Sequence, residues 1–444
     1  MRPRTPSRSY PKVVFDRNAT AGDLAGLTAA YRNAGGGLMS RIAAAGILLF
    51  AFAPKPVTLT PPSVPVPASL FGMHIHHMVF PNGTERLTPW PSVPVPQWRL
   101  WDAKVTWPDL EPAKGQWRFE NLDRSLALAE AHQASVLMTL GLTPRWASAR
   151  PQEPSGYALG YAAEPKDLDD WRVFVRTVAT HYKGRIHAYE VWNEPNVKKF
   201  WTGSIDQLAD LTREASIIIH RVDPHAILVS PPATGFPGIK WLPEFLSKAG
   251  QYVDVIGYHF YLTPKPPEAT LQLVDAIKKV MAENGAEDKP LWDTEAGWLP
   301  PAQIDPELGA AYLARSYIVL WADGVQRFYW YAWDNHTSVA LQTTERDNQT
   351  LTPAGQAFAT IQEWLVGARM DWCKTDATQT WQCQLNRGGK LEWIVWNPNG
   401  REPFALPRSW NVKNVTPLIG ESQRFSGPNL DVGPTPVLMT TSIP

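Results

Sequence analysis

From Phe71 onward, apolar residues follow two rhythms that take turns along the chain. Short runs rich in β-branched and aromatic residues read as strands: "FGMHIHHM", "WRLWDAKVTW", "SVLMTLGL", "HAYEVWNE", "ILVSPPA", "VDVIGYHFY", "LWDTEAGW" and "QRFYWYAW". Stretches with apolar residues at helical spacing separate most of them, among them "NLDRSLALAEAHQ", "DLDDWRVFVRTVATHYKG" and "SIDQLADLTREASIIIHRV"; "PAGQAFATIQEWLVG" follows the eighth strand. This alternation over residues 70–367 predicts a (β/α)8 TIM barrel. A doubly wound sheet would need a Gly-rich phosphate loop after its first strand. None is present, and Gly35–Gly37 precede no such unit. Beyond Gly367 the period falls to two. "WQCQLNRGGKLEWIVWNPNG" alternates and turns at Gly-Gly and Asn-Gly, which predicts a small, β-sandwich-like domain over residues 368–444. No internal repeat is found.

Ahead of the barrel the pattern has other causes. "IAAAGILLFAFA", Ile42 to Ala53, follows Arg41 and is too short for a bilayer span but suits a signal-peptide core. Residues 39–53 are expected to be a signal peptide or a membrane anchor, and the enzyme or binding protein they lead is expected to be exported, periplasmic or secreted. Residues 1–38 form a polar, Arg-rich leader, and Met39 is a second candidate start. "PKPVTLTPPSVPVPAS", residues 54–69, reads as a Pro-rich extended linker.

In a TIM barrel, chemistry sits at the C-terminal ends of the strands. The fourth strand ends in Asn193-Glu194-Pro195 and the seventh in Glu295-Ala296-Gly297-Trp298. Strands four and seven face each other across the barrel mouth, and two opposed carboxylates are what glycosidic bond cleavage requires. One carboxyl must hold a proton for the leaving oxygen while the other stays ionised. By strand parity, Glu190 shares a face with Glu194 and Asp293 shares one with Glu295. Lying deeper in the barrel, both are expected to be buried, paired ions, with Arg99 of the second strand as partner. Helical caps and solvated charges are the ordinary roles of a lone strand-end Glu; it is the pair that points to catalysis.

Composition changes this picture in three ways. The 42 Lys and Arg balance 42 Asp and Glu, so the basic excess of a nucleic-acid binder is missing. The 21 Trp exceed what a core needs, and their flat faces suit sugar rings. The two cysteines, Cys373 and Cys383, flank a Thr/Asp-rich turn and are expected to form a hairpin disulfide in an oxidising compartment. "HIHH" places His74 and His76 on one face, but no carboxylate or cysteine stands nearby in sequence. A sugar contact from His76 is the functional reading; no metal and no cofactor are expected.

"YEVWNEPN" and "LWDTEAGW" resemble the retaining glycosidases of clan A. The closer resemblance is to glycoside hydrolase family 39, with "WPDLEPAKGQWRFENLDRSLALA", "VLMTLGLTPRWAS" and "YHFY" similar to that family's second, third and sixth strand segments. Within the family the chain looks more like the glycosidases of bacterial exopolysaccharide clusters than like the xylosidases. The resemblance implies Glu194 as acid/base, Glu295 as nucleophile and Asn193 on the sugar 2-hydroxyl. It places His259 and Tyr261 near the nucleophile, the Tyr hydroxyl holding its carboxylate. Trp333 would form the floor under the reacting sugar, with Trp146 and Trp298 as further platforms. The expected reaction is endo-acting hydrolysis of an exopolysaccharide, with carboxyls about 5–5.5 Å apart. An exo-acting β-xylosidase-like enzyme and a non-catalytic polysaccharide-binding protein of an export system are the alternatives.

Overall fold

The computed structural model describes residues 56–79 and 87–441. The leader and the apolar run 42–53 lie outside the described residues, within which no helix is long and apolar enough to cross a membrane. Eight parallel strands form at the apolar runs: β1 (Phe71–His74), β2 (Gln97–Leu100), β3 (Ser135–Leu140), β4 (Ala188–Val191), β5 in two pieces (Ile227–Val229 and Ala233–Thr234), β6 (Ile256–His259), β7 (Leu291–Ala296) and β8 (Arg327–Trp330). The hydrogen-bonded order starts with the first piece of β5, passes through β4, β3, β2, β1, β8, β7 and β6, and ends with its second piece. One strand therefore stands at both ends of the ladder, and the Val229–Val255 bridge completes the closure. This is the expected barrel.

Helices α1 (Glu120–Ala131), α2 (Leu168–His181), α3 (Ile205–Val222), α4 (Gly235–Ala249), α5 (Thr270–Glu283), α6 (Pro306–Ala322) and α7 (Pro353–Leu365) line its outside. Their starts follow from local chemistry. Ser204 and Gln207 exchange side-chain bonds in a capping box at α3, and Pro306 and Pro353 occupy first-turn positions where no N–H is needed. The second predicted strand is shorter than its apolar run. It ends at Leu100, and Trp107–Leu110 coils into one helical turn under a Thr106/Asp109 capping box.

α6 is buried almost all round, because the C-terminal domain covers the side that faces away from the barrel. Arg315 of α6 bonds Glu268 (Nη2 to Oε2, 2.6 Å) and the Pro434 carbonyl, while the Trp396 indole donates to Glu268 at 2.8 Å. That domain is built on β9 (Arg369–Thr375), β10 (Trp381–Arg387) and β11 (Lys390–Trp396), inside a seven-stranded antiparallel sheet. Alternation along β11 sorts its residues: Ile394 and Trp396 join the core shared with the barrel, while Trp393 and Val395 pack with Phe404, Trp410, Val432 and Met439 under a two-stranded ribbon. Cys373 and Cys383 sit directly opposite on β9 and β10 and are disulfide-bonded.

Of the expected linker, the described residues 56–69 are not a free spacer. Thr58–Leu59 pairs antiparallel with β9 as the edge of the C-terminal sheet, and Val66, 1 % exposed, exchanges backbone bonds with Ala368 and Gly367. An edge strand tolerates the prolines that make the segment read as a linker.

Candidate active site

Two local departures from regular structure deliver the carboxylates to the barrel mouth. After β4, Trp192 (φ 62°) and Glu194 (φ 42°) lie in the left-handed region that L-residues avoid. The turn holds because Trp192 donates its backbone N–H to Leu140 and its indole to Phe200, and packs edge-on against Trp201. In β7 the pairing with β8 slips between Asp293 and Ala296, a bulge one residue wide. The slip uncouples Glu295 from the parity of Asp293. One oxygen each of Glu194 and Glu295 and a ring nitrogen of His259 all lie within 4.8 Å of one another. That spacing falls on the side of double displacement, far from the roughly 6.5–9.5 Å that leaves room for an inverting water.

Arg99, fully buried, organises the floor. Its Nε and Nη2 donate to Glu190 Oε2 at 2.8 and 2.5 Å, its Nη1 to Glu295 Oε2 at 2.8 Å, and Nη2 also to Asn193 Oδ1 at 2.9 Å. Thr139 adds a hydroxyl bond to Glu190 at 3.1 Å. Glu190 is thus the buried, paired ion expected. With its oxygen spent on Arg99, Asn193 keeps its amide N–H2 for a ligand. The Tyr261 hydroxyl donates to Glu295 Oε1 at 2.9 Å, and His259 Nδ1 lies 3.0 Å from Glu194 Oε1. His259 is therefore bonded to Glu194 rather than to Glu295, though it lies near both.

Asp293 departs from expectation. It makes no ion pair with Arg99; its Oδ1 accepts the Phe260 N–H at 3.3 Å and its Oδ2 has no partner. Burial pushes its carboxyl well above the usual range, which favours the neutral form. The bulge is the reason: counted through it, Asp293 and Glu295 no longer share a face.

Burial raises the Glu194 carboxyl above the usual carboxylate range. Burial raises Glu295 as well, but there Arg99 and Tyr261 both donate to the carboxylate, whereas Glu194 faces an imidazole that burial pushes down to about 4. Donors thus favour the anion of Glu295, while Thr234, Lys199 and Arg99 temper the rise of Glu194. Burial also lifts the Tyr261 phenol well above its ordinary value, which keeps it a donor.

A cleft of about 430 Å³ opens over these groups, lined by Trp101, Asp102, Tyr157, Asn193, Glu194, Lys199, Phe200, Thr234, Tyr261, Glu295 and Tyr331 among others. The predicted tryptophan platforms are not among its walls. Trp333 is buried, its indole turned to the Asn348 carbonyl. Trp146 donates to the Glu111 carbonyl and packs on Trp107, and Trp298 donates to the Lys265 carbonyl and stacks on Trp330. His76 is also buried away from the cleft lining, its ring 5.1 Å from that of Tyr331, and His74 bonds the Thr294 carbonyl. Sequence reasoning missed the aromatic walls Trp101, Tyr157, Phe200 and Tyr331 and the charged Asp102 and Lys199. Tyr157, an aromatic in the Gly- and Ser-bearing loop after β3, was the available signal, since binding residues gather on such loops.

Among the described residues, two groups bring metal-capable atoms within 4.8 Å of one another: the Glu194–His259–Glu295 trio, and His76, His77 and Asp334. In the second, Asp334 accepts the backbone N–H groups of His76 and His77 and the Thr88 hydroxyl. Its carboxylate braces the loop after β1 to the end of β8.

A sequence model of Glycosyl hydrolases family 39 matches residues 108–352. Among curated proteins, a β-xylosidase of Geobacillus stearothermophilus is 27 % identical over 232 residues, 45 % of each chain. A β-xylosidase of Caldicellulosiruptor saccharolyticus is 30 % identical over 131 residues, 27 % of this chain and 26 % of that one. The chain thus spans less than half the length of the curated relatives it matches. Among solved structures, a family 39 glycoside hydrolase of Bacteroides cellulosilyticus WH2 aligns with a TM-score of 0.64 at 18 % identity, covering 78 % of this chain and 76 % of that one. A β-xylosidase of Caulobacter crescentus CB15 aligns with a TM-score of 0.57 at 17 % identity, covering 78 % and 89 %. At these identities the structural likeness speaks for the fold. The expected kinship with exopolysaccharide-cluster glycosidases finds no support in these relatives, which are named β-xylosidases.

Proposed function

The chain belongs to glycosyl hydrolases family 39, and from that premise we propose that it is a retaining glycosidase. The observation that carries the reading is the Glu194–Glu295 pair, with oxygens within 4.8 Å and with donors distributed unequally between them. Glu295, steadied by Arg99 and Tyr261, attacks the anomeric carbon while Glu194 protonates the leaving oxygen. Glu194 then takes a proton from water as the glycosyl–Glu295 ester is hydrolysed, and the anomeric configuration is restored. The Asn193 amide is placed to donate to the sugar at the same floor.

The names of the curated relatives favour exo action on β-xylosides over the endo-acting exopolysaccharide reading. A purely binding role is disfavoured by two intact carboxylates with their full set of donors. Export belongs to the same proposal, supported by the apolar run 42–53 and by the Cys373–Cys383 bond, a linkage typical of oxidising compartments.

The test combines aryl β-glycosides, xylo-oligosaccharides and β-linked bacterial polysaccharides with wild type, Glu194→Ala and Glu295→Ala. Release of monosaccharide with retained configuration by NMR, and loss of about 10³-fold or more in either variant, is the expected result. Short fragments from a polysaccharide would establish the endo mode instead. An inverted product would overturn the mechanism.

A further inference from the structure

The cleft holds a third carboxylate that bond cleavage does not use. Asp102 lies just past the end of β2, beside Trp101, with its backbone in the left-handed region (φ 58°). Neutral phenols hold it in place: Tyr157 donates to Oδ1 at 2.6 Å and Tyr331 to Oδ2 at 3.2 Å. Tyr331 is fixed in turn by Asn335, whose amide donates to its oxygen at 3.2 Å. A carboxylate has about four lone-pair positions, so two of them remain for a ligand. A non-glycine residue in a disfavoured conformation, held by hydrogen bonds at a cleft wall, marks a position whose geometry serves a ligand.

Charge in the cleft is unevenly placed. Asp102 is bonded by Tyr331, whose backbone N–H donates to the carbonyl of Ala296 next to Glu295, whereas Lys199 lies in the turn that follows Glu194, where the Val197 N–H donates to the Glu194 carbonyl. Glu194 serves the leaving group and Glu295 the sugar that forms the ester. The anionic end of the cleft therefore belongs to the glycone and the cationic end to the leaving group. Arg99, the cation nearest the glycone, already serves Glu190, Glu295 and Asn193.

Resting on the reading of this cleft as a glycosidase site, we propose that Asp102, held by Tyr157 and Tyr331, determines specificity by accepting hydrogen bonds from hydroxyls of a neutral glycone and by excluding uronic acids from that position. Sugar hydroxyls are the donors such a carboxylate can use. A uronate would bring another negative charge against Asp102 and Glu295, with no free guanidinium among the described residues that line the cleft to meet it.

The experiment compares matched aryl β-glycosides, xyloside, glucoside and galactoside against glucuronide and galacturonide, with wild type, Asp102→Asn and Tyr157→Phe. Tyr157 is 44 % exposed, so its variant loses one phenol donor without disturbing the core, and thermal melts confirm folding of both. Wild type is expected to favour the best neutral sugar over its uronide by about 100-fold or more. Asp102→Asn should lower kcat/KM on that neutral sugar by about 10–100-fold, the worth of hydrogen bonds to a charged group, mainly through KM, and should narrow the neutral-to-uronide ratio at least about tenfold. Tyr157→Phe should move both quantities the same way by less. If folded Asp102→Asn lowers both substrates equally or neither, or if wild type prefers a uronide, the proposal falls while the glycosidase reading stands. If wild type cleaves no glycoside of the set, the glycosidase reading fails and the proposal falls with it.

Discussion

Arg99→Met is the perturbation that tests the site's construction most directly. The change keeps a similar apolar volume but removes the guanidinium that bonds Glu190 through Nε and Nη2, Glu295 through Nη1 and Asn193 through Nη2. Arg99 and Glu190 are both 0 % exposed, so Glu190 would be left as an uncompensated buried charge. Breaking a buried pair from one side costs about 3–5 kcal/mol, which lowers the melting temperature by roughly 5–8 °C in a domain of this size. Activity should fall further than stability explains, by about 10²–10³-fold in kcat, because Glu295 loses a donor aligned with its carboxylate. The double variant Arg99→Met/Glu190→Leu separates the two effects. With the Glu190 charge removed and Glu295 still bonded by Tyr261, its stability should return to within about 1–2 kcal/mol of wild type, while kcat stays low. Thermal unfolding and kinetics on an aryl glycoside read both. A single variant as stable as wild type would refute the argument that Glu190 depends on Arg99. Recovery of kcat in the double variant would refute the argument that the Arg99–Glu295 contact serves catalysis.

Two further outcomes follow from other parts of the structure. The proposed mechanism needs Glu194 protonated and Glu295 ionised; because burial raises Glu194, activity should persist above the ordinary carboxylate range as pH rises and be lost only through the pKa of Glu194 itself, and kcat/KM of Glu194→Gln on a substrate with a good leaving group should lack this alkaline limb, whose persistence would assign it to another group. Replacing both Cys373 and Cys383 by Ser opens a loop of sequence separation 10 and should cost about 2–3 kcal/mol in denaturant unfolding with kcat unchanged, since the bond lies in the C-terminal sheet; a fall in kcat without unfolding would contradict that separation.

The barrel was legible because its strands and helices differ in period, and Glu194 and Glu295 because a carboxylate at a strand end is conspicuous where apolar residues should stop. Arg99, Glu190 and Tyr261 followed from the same logic together with family likeness. Asp293 was misread because parity holds only through regular pairing, and the slip between β7 and β8 leaves no mark in "LWDTEA". Trp333 was misread for a related reason. Position at a strand end says nothing about which way an indole turns, and the Asn348 carbonyl draws this one inward while Tyr331 takes the cleft wall. Asp102 was invisible because "WRLWDAKVTW" looks like one uninterrupted strand, whereas Asp102 and Lys104 both adopt positive φ and break it. The edge strand at Thr58–Leu59 hid behind prolines whose composition is that of a linker.

In the proposed mechanism two identical side chains acquire opposite duties through their neighbours. Both Glu194 and Glu295 are raised by burial, and burial by itself would make them equivalent acids. The difference lies in donors. Glu295 receives a guanidinium N–H and a phenol O–H, each of which favours its anion. Glu194 meets His259, whose imidazole burial holds neutral down to about 4 and which therefore adds no cation to draw the proton off. Two carboxylates this close repel one another, and the consequence for Glu194 changes as the reaction proceeds. Before bond cleavage the negative Glu295 helps Glu194 to keep its proton and act as an acid. Once Glu295 is esterified by the sugar its charge is gone, the raising influence on Glu194 lapses, and the same side chain becomes a base for the attacking water. The switch needs no motion of either residue, which suits carboxylates mounted on a kinked strand end and a bulge in the rigid wall of a barrel.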